Sequence, residues 1–136
     1  MKQCLADTGA LVALLDRADI HHGWAVECFK TLRPPLITCE SVLAETLHLL
    51  ADLPPSVAAL ARLHRDRILR VDFQFEPHAP AVWQLVEKYQ DLPMDFADAC
   101  LVRMSELYAD CVIWTTDNDF RVYRRHGRQA IARLTP

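Results

Sequence analysis

Four acidic residues stand at places in the chain where their side chains could meet: Asp7, Glu45, Asp98 and Asp117. Asp7 directly follows residues 4–6, and Asp117 stands two positions after residues 111–115; both segments are short and largely apolar, which is typical of buried strands. Parallel strands end at the same edge of a sheet, and that edge is where open α/β proteins bind ligands. The other two lie early in predicted helices. The pattern predicts one acidic crevice at a sheet edge.

Such a crevice needs a counter-charge. Two carboxylates near 4 Å repel each other by about 4 kcal/mol at an effective dielectric constant of 20. Either some of them hold protons or a cation lies among them, and oxygen ligands favour Mg²⁺ or Mn²⁺ over zinc. Such an ion can lower the pKa of water and polarise a phosphoryl oxygen. The residues therefore point to metal-assisted hydrolysis of a phosphate ester.

The elements that would position these acids alternate along the chain. Strands are predicted at residues 4–6, 36–39, 68–73, 111–115 and 130–134. Helical periodicity appears between them, including residues 77–90 and 95–108, and a short helix is expected between Asn118 and Gly127. The apolar helix faces include Leu47 and Leu107. Alternation of this kind predicts an α/β fold with a mostly parallel sheet.

Composition favours a single globular domain over residues 1–136. Hydrophobic residues make up 51% of the chain, and no apolar run approaches the roughly 18 residues of a membrane span. The five cysteines are scattered without a paired spacing, so we expect buried reduced thiols in a cytoplasmic protein. Trp24, Trp83 and Trp114 are expected in the core.

The net charge of −3 does not exclude a nucleic-acid partner, because the basic residues are grouped. Residues 120–136 contain no acid and five arginines: Arg121, Arg124, Arg125, Arg128 and Arg133. A second group holds Arg62, Arg65, Arg67 and Arg70. Groups of this kind can contact a phosphate backbone, although they also occur on solvated helix faces.

Four sequence blocks together carry a family resemblance: Asp7-Thr8 after a strand, Glu45 at the end of residues 41–45, Asp98 within residues 95–99, and Asp117 within residues 115–120. In this order and at this chain length they resemble the PIN-domain nucleases, in particular VapC-type toxins. The resemblance implies a three-layer α/β/α domain and Mg²⁺- or Mn²⁺-dependent endoribonuclease activity. It also implies a homodimer and a VapB-like antitoxin partner.

The resemblance further implies roles for individual residues. Asp7, Glu45, Asp98 and Asp117 match the acidic metal ligands. Supporting positions are Thr8, Thr116, Asp95 and Asp119, of which the two acids would act as ligand neighbours or helix caps. Candidate contacts to the RNA backbone are Arg121, Arg124 and Arg125.

Two other classes of protein compete with this interpretation. One is a catalytically silent PIN-fold module that binds RNA or an antitoxin. The other is a receiver-like signalling domain, which shares the acidic cluster but needs a phosphoacceptor Asp at a mid-chain strand end, a place that Asp72 fits poorly. An aspartic protease is excluded, because Asp7-Thr8-Gly9 opens a helical pattern in a chain with few glycines.

Overall fold

A parallel sheet organises the computed structural model, which describes residues 2–92 and 94–136. The strands are β1 (Gln3–Ala6), β2 (Leu36–Thr38), β3 (Leu69–Val71), β4 (Cys111–Trp114), β5 (Arg124–Arg125), β6 (Gln129–Ala130) and β7 (Arg133–Leu134). Five of them form the central sheet in the order β3-β2-β1-β4-β7, and every pairing in it is parallel. The predicted α/β fold with a mostly parallel sheet is confirmed.

The central position of β1 decides where the first carboxylate lies. Leu5 is in register with Ile37 of β2 on one side and with Ile113 of β4 on the other. Beyond β1, the backbone N–H of Asp7 donates to the carbonyl of Trp114 at 3.0 Å, which extends the pairing past the strand end. The carboxyl ends of β1 and β4 therefore lie side by side.

Helices flank the sheet. They are α1 (Thr8–Leu15), α2 (His22–Thr31), α3 (Glu40–Leu49), α4 (Pro54–Arg65), α5 (Phe75–Lys88) and α6 (Phe96–Leu107), followed by a 3₁₀ turn at Asn118–Arg121. Helix α1 packs on α2, α3 and α4, while α6 packs on α3, α5 and the strands β1 and β4. Among the described residues, no helix is long and apolar enough to cross a membrane.

The core lies between these layers. Leu5, Ile113 and Trp114 are fully buried, and the ring of Trp24 contacts that of Trp114 at 6.3 Å between centroids. All five cysteines are buried and free, as the sequence predicted. Among the tryptophans the prediction was wrong for Trp83, which is 51% exposed. Its ring packs against those of Phe75 and Phe96, each at 6.0 Å between centroids.

The burial predictions for two leucines were also wrong. Leu47 is 45% exposed because α3 buries Val42 and Thr46 instead, and the residue after Thr46 turns away from the core. Leu107 is 44% exposed at the last residue of α6. Neither error moves a predicted site residue.

Several predicted boundaries need correction. Helix α5 begins at Phe75 rather than at residue 77, because a helix tolerates proline in its first turn, where the N–H makes no intrahelical bond. Strand β3 ends at Val71 rather than at residue 73. Boundaries of this kind depend on hydrogen bonds that local sequence does not show.

The C-terminal segment differs most from the prediction. The structure places a hairpin of β5 and β6 where the sequence suggested a helix that ends at Gly127. His126 and Gly127 have positive φ angles of 51° and 82°, which suit its tight turn. Residues 129–130 belong to this hairpin, so the predicted last strand is reduced to β7.

Candidate active site

Asp7 is held rigidly at the end of β1. Its side chain is 5% exposed, and its two oxygens accept separate hydrogen bonds. Oδ1 accepts from the backbone N–H of Thr8 at 2.7 Å, at the start of α1, and Oδ2 accepts from the hydroxyl of Thr115 at 2.6 Å. Burial raises the pKa of Asp7 to about 6, although both hydrogen bonds favour the charged form. Burial without a compensating positive charge therefore disfavours the ionised form of Asp7.

Glu45 reaches the site from α3. The hydroxyl of Thr8 donates to Glu45 Oε2 at 3.0 Å and so connects the start of α1 to α3. Burial raises the pKa of Glu45, and the nearby charge of Asp95 raises it further. The structure thus places Thr8 in direct contact with one of the predicted ligands.

Asp98 is the most strongly perturbed carboxylate of the group. Its backbone N–H donates to Asp95 Oδ1 at 2.8 Å, which makes Asp95 the N-cap of α6. Its Oδ2 accepts from the phenol of Tyr123 at 3.0 Å. Burial raises the pKa of Asp98 to about 8, with further contributions from the charges of Asp95 and Asp7. The side chain is 6% exposed, so little water screens this repulsion.

Two acids of the turn after β4 complete the arrangement. Asp117 receives support from its neighbours: its N–H donates to Thr115 Oγ1 at 2.9 Å and its Oδ1 accepts from Asp119 N–H at 2.8 Å. Burial raises the pKa of Asp117, and Asp119 adds to the repulsion. Carboxylate oxygens of Asp98, Asp117 and Asp119 all lie within 4.8 Å of one another. We call these three residues the acidic triad.

The four predicted metal ligands, Asp7, Glu45, Asp98 and Asp117, therefore do not all lie in one cluster of mutually close carboxylates. Within the described residues, the triad contains Asp98 and Asp117 together with Asp119, which the sequence had suggested only as a supporting group. Asp7 adjoins the triad, since its charge interacts with those of Asp98 and Asp117. Glu45 is connected to Asp7 through Thr8, which donates a hydrogen bond to each of the two carboxylates.

Comparison with known proteins identifies the family of the chain. The family model of the PIN domain matches residues 4–126. The chain belongs to the PIN domain family. No curated protein sequence matches it significantly.

Among solved structures, the PIN domain is similar to VapC20 of Mycobacterium tuberculosis, which is described as a sarcin–ricin loop cleaving toxin. The two share 21% sequence identity and superimpose with a TM-score of 0.78 over 88% of this chain and 94% of that one. At this identity the likeness concerns the fold. The family predicted from the four acidic blocks is confirmed by the family model.

The donors of this PIN domain suit a hard divalent cation. The acidic triad offers only carboxylate oxygens, which is the ligand type that Mg²⁺ and Mn²⁺ prefer. Without a cation, burial and mutual repulsion push the pKa values of Asp7, Asp98 and Asp117 upward. An ion would relieve that repulsion, so the residues present fit such an ion.

Two residues of the PIN domain site were missed in the sequence. Thr115, rather than Thr116, donates a hydrogen bond to the predicted metal ligand Asp7, because Thr115 extends β4 and points toward Asp7. The Thr116 hydroxyl instead lies so close to Gly9 that a methyl group at Gly9 would overlap it. Tyr123 was missed because nothing in the local sequence indicates that it reaches α6. The sequence shows only that an aromatic residue follows Asp117 and Asp119.

The arginines predicted to contact RNA have different surroundings. Arg121 is exposed beside the acidic turn. Arg124 Nη1 donates to three nearby carbonyls, those of Arg121, Val122 and Tyr123, at 2.8–3.1 Å. Arg125 Nη2 donates to the carbonyl of Tyr108 at 2.8 Å. Two of the three guanidinium groups therefore hold the backbone of this PIN domain in place.

Proposed function

We propose that this single-domain PIN protein is a VapC-like endoribonuclease that hydrolyses RNA phosphodiester bonds with Mg²⁺ or Mn²⁺. The observation that carries the proposal is the acidic triad at the carboxyl edge of the sheet, with Asp7 beside it and Glu45 linked to Asp7 through Thr8. Their raised pKa values agree with a site that is built to hold a cation. The fold shared with a ribonuclease toxin supports the same reaction class.

In this proposal Asp7, Glu45, Asp98 and Asp117 are the acidic residues that hold the metal. Asp119 belongs among them, since its carboxylate lies within 4.8 Å of those of Asp98 and Asp117. When bound, a divalent ion neutralises phosphate charge, lowers the pKa of water and stabilises the leaving oxygen. From the family we expect products with 5′-phosphate and 3′-hydroxyl ends.

The surrounding residues would orient the ligands. Thr115 holds one oxygen of Asp7, and Thr8 holds one oxygen of Glu45. Preorganised charges of this kind accelerate reactions because they need not rearrange during the chemical step. Arg121 is our first candidate for a contact to the RNA backbone, because it is exposed next to the acidic turn. Arg124 and Arg125 would act there mainly by holding the backbone.

An RNA cleavage assay tests the reaction. The substrates are a synthetic sarcin–ricin loop hairpin, chosen because VapC20 is described as cleaving that loop, and total ribosomal RNA. We expect cleavage with Mg²⁺ or Mn²⁺, none with EDTA, and a loss of at least about 100-fold in Asp98→Asn, as when a catalytic electrostatic group is removed. Asp52→Asn, in an exposed turn, is the matched control and should remain active.

The same assay separates the enzyme from the silent binding module. Cleavage of neither RNA, combined with tight Mn²⁺ binding by the wild type, would favour the module. Full activity of Asp98→Asn would remove Asp98 from the mechanism. Activity that survives EDTA would contradict the metal requirement.

We further propose a homodimer and a VapB-like antitoxin partner, which rest on the family resemblance, and a cytoplasmic location, which rests on the free buried cysteines. Exposed apolar side chains such as Leu49 and Trp83, at 59% and 51%, are compatible with a protein interface. Analytical ultracentrifugation tests the dimer. Co-expression with the neighbouring small reading frame and co-purification test the antitoxin.

A further inference from the structure

Tyr123 is hydrogen-bonded to Asp98, a member of the acidic triad. Its phenol donates a 3.0 Å hydrogen bond to Asp98 Oδ2. Tyr123 is fully buried and Asp98 is 6% exposed, so water cannot easily replace the phenol. This hydrogen bond uses one lone pair of Oδ2, and the other lone pairs of the carboxylate remain free to bind a cation. The contact therefore affects the carboxylate at the point where it would bind metal.

Tyr123 is also hydrogen-bonded to the turn that carries Asp117 and Asp119, the other two members of the triad. The backbone N–H of Tyr123 donates to the carbonyl of Asp119 at 3.3 Å. Tyr123 thus connects the Asp98 side chain on α6 with the turn that contains Asp117 and Asp119. Since the three carboxylates come from two separate elements, such a connection limits how far the elements can move apart.

The ring of Tyr123 is itself held by aromatic neighbours. Tyr89 packs on it edge to face at 5.1 Å between centroids, and Phe120 does so at 5.3 Å. Burial raises the pKa of Tyr123, and the charge of Asp98 raises it further, so the phenol remains a hydrogen-bond donor at neutral pH. A rigid, protonated donor can fix the rotamer of the carboxylate that it contacts.

We propose that Tyr123 is a positioning residue that orients Asp98 toward the metal and keeps α6 in register with the acidic turn. The inference rests on the proposed function, since it concerns the same cation. Groups that hydrogen-bond a metal ligand typically contribute about 10- to 100-fold to metal affinity or activity. Tyr123 acts through Asp98 and touches neither the metal nor the RNA.

The test compares Tyr123→Phe with Tyr89→Phe in Mn²⁺ titrations followed by electron paramagnetic resonance. Both changes remove one phenol oxygen from the same aromatic pair. The Tyr89 oxygen accepts from the backbone N–H of Arg124 at 3.0 Å and contacts no carboxylate of the triad, so its loss leaves the triad intact. We expect Tyr123→Phe to bind Mn²⁺ about 10-fold or more weakly. Tyr89→Phe should keep the wild-type affinity.

A double mutant shows whether the effect passes through Asp98. Added to Asp98→Asn, Tyr123→Phe should cause little further loss of Mn²⁺ affinity, because its partner has already changed. If Tyr123→Phe reduces the folded fraction, the rise of its unfolding midpoint with Mn²⁺ still reports the affinity by linkage. The readout therefore does not depend on a fully folded variant.

The outcomes separate the inference from the proposed function. If the wild type binds Mn²⁺ and cleaves RNA while Tyr123→Phe behaves like Tyr89→Phe, the positioning role is wrong and the function stands. An additive loss in the double mutant would also overturn the role. If the wild type binds no Mn²⁺, the metal-dependent function fails and the role of Tyr123 fails with it.

Discussion

The hydroxyl of Thr115 donates a 2.6 Å hydrogen bond to Asp7 Oδ2, across 108 residues of chain. Thr115 Oγ1 also accepts a hydrogen bond from the backbone N–H of Asp117 at 2.9 Å. Because β1 and β4 are neighbours, one fully buried hydroxyl connects the carboxylate at the end of one strand with the acidic turn after the other. The distance between two predicted metal ligands is therefore set by a residue that is not a ligand.

Replacing Thr115 by valine should weaken both the fold and the site. The change leaves Asp7 Oδ2 and the N–H of Asp117 without their partner, and an unsatisfied buried polar group costs about 1–3 kcal/mol. We expect a loss of that size in the free energy of unfolding, measured with urea, together with reduced RNA cleavage. Thr115→Ser keeps the hydroxyl and is the control. Equal stability of the two variants would contradict the bridging role.

Divalent metal should stabilise the folded protein through its carboxylates. Mn²⁺ at 100 times its dissociation constant adds about 2.7 kcal/mol, which raises the unfolding midpoint of a domain of this size by roughly 5–10 °C. Asp98→Asn should lose most of this rise, while Asp52→Asn should keep it. Calorimetric scans with and without Mn²⁺ measure the effect. An unchanged midpoint in the wild type would argue against a metal site.

The metal-free protein should become less stable as the pH rises. Burial raises the pKa of Asp7 to about 6 and that of Asp98 to about 8, from an ordinary value of 3.8. The folded state therefore binds protons more tightly than the unfolded chain. This stabilisation is fully present below the unfolded pKa and is lost as the pH rises through the folded values.

We accordingly expect the unfolding midpoint in EDTA to fall between about pH 4 and about pH 8. Asp98→Asn should show a weaker fall, because an amide does not titrate, and Asp52→Asn should follow the wild type. The difference between the curves of Asp98→Asn and Asp52→Asn is the part of the fall that belongs to Asp98. Parallel curves for Asp98→Asn and the wild type would show that Asp98 does not contribute.

Gly9 should tolerate alanine only when Thr116 is shortened. Alanine in a helix interior is normally more stable than glycine by about 0.5–1 kcal/mol. At Gly9, in α1, the added methyl group would overlap Thr116 Oγ1, so we expect Gly9→Ala to destabilise the protein. In a Thr116→Ala background the same change should destabilise the protein much less, because only Thr116 Cβ, at 3.3 Å, then remains close to the added methyl group.

The control for this pair is Gly23→Ala in α2, where an added methyl group meets nothing within 4 Å. It should stabilise the protein by about 0.5–1 kcal/mol, as expected for helix propensity alone. Urea unfolding of the four variants measures the coupling. Additive effects of Gly9→Ala and Thr116→Ala would show that the two positions do not interact.

Much of the site could be predicted from local sequence. Asp7 and Asp117 follow apolar segments that form β1 and β4, and the alternation of strands and helices predicts a parallel sheet whose strand ends share one edge. The supporting role of Asp95 also follows from local chemistry, since an acid just before a helix commonly caps it. These features depend on residues that are close together in the chain.

The choice between Thr115 and Thr116 could not be made in this way. Neighbouring residues of a strand point to opposite sides, and a one-residue difference in where β4 ends decides which hydroxyl faces Asp7. The C-terminal hairpin was missed for a related reason. Its turn uses positive φ angles at His126 and Gly127, while the residues around it also suit a helix.

The sequence by itself determined most of the element types, the parallel α/β class and the acids at the strand ends, because these follow from side-chain periodicity and local hydrogen bonding. Only the tertiary structure decided that Asp119 joins Asp98 and Asp117, and that Tyr123 bonds Asp98. Those contacts join residues that are far apart in the chain or on different elements. They form because strand order and helix packing bring the elements together, and no local pattern encodes that placement.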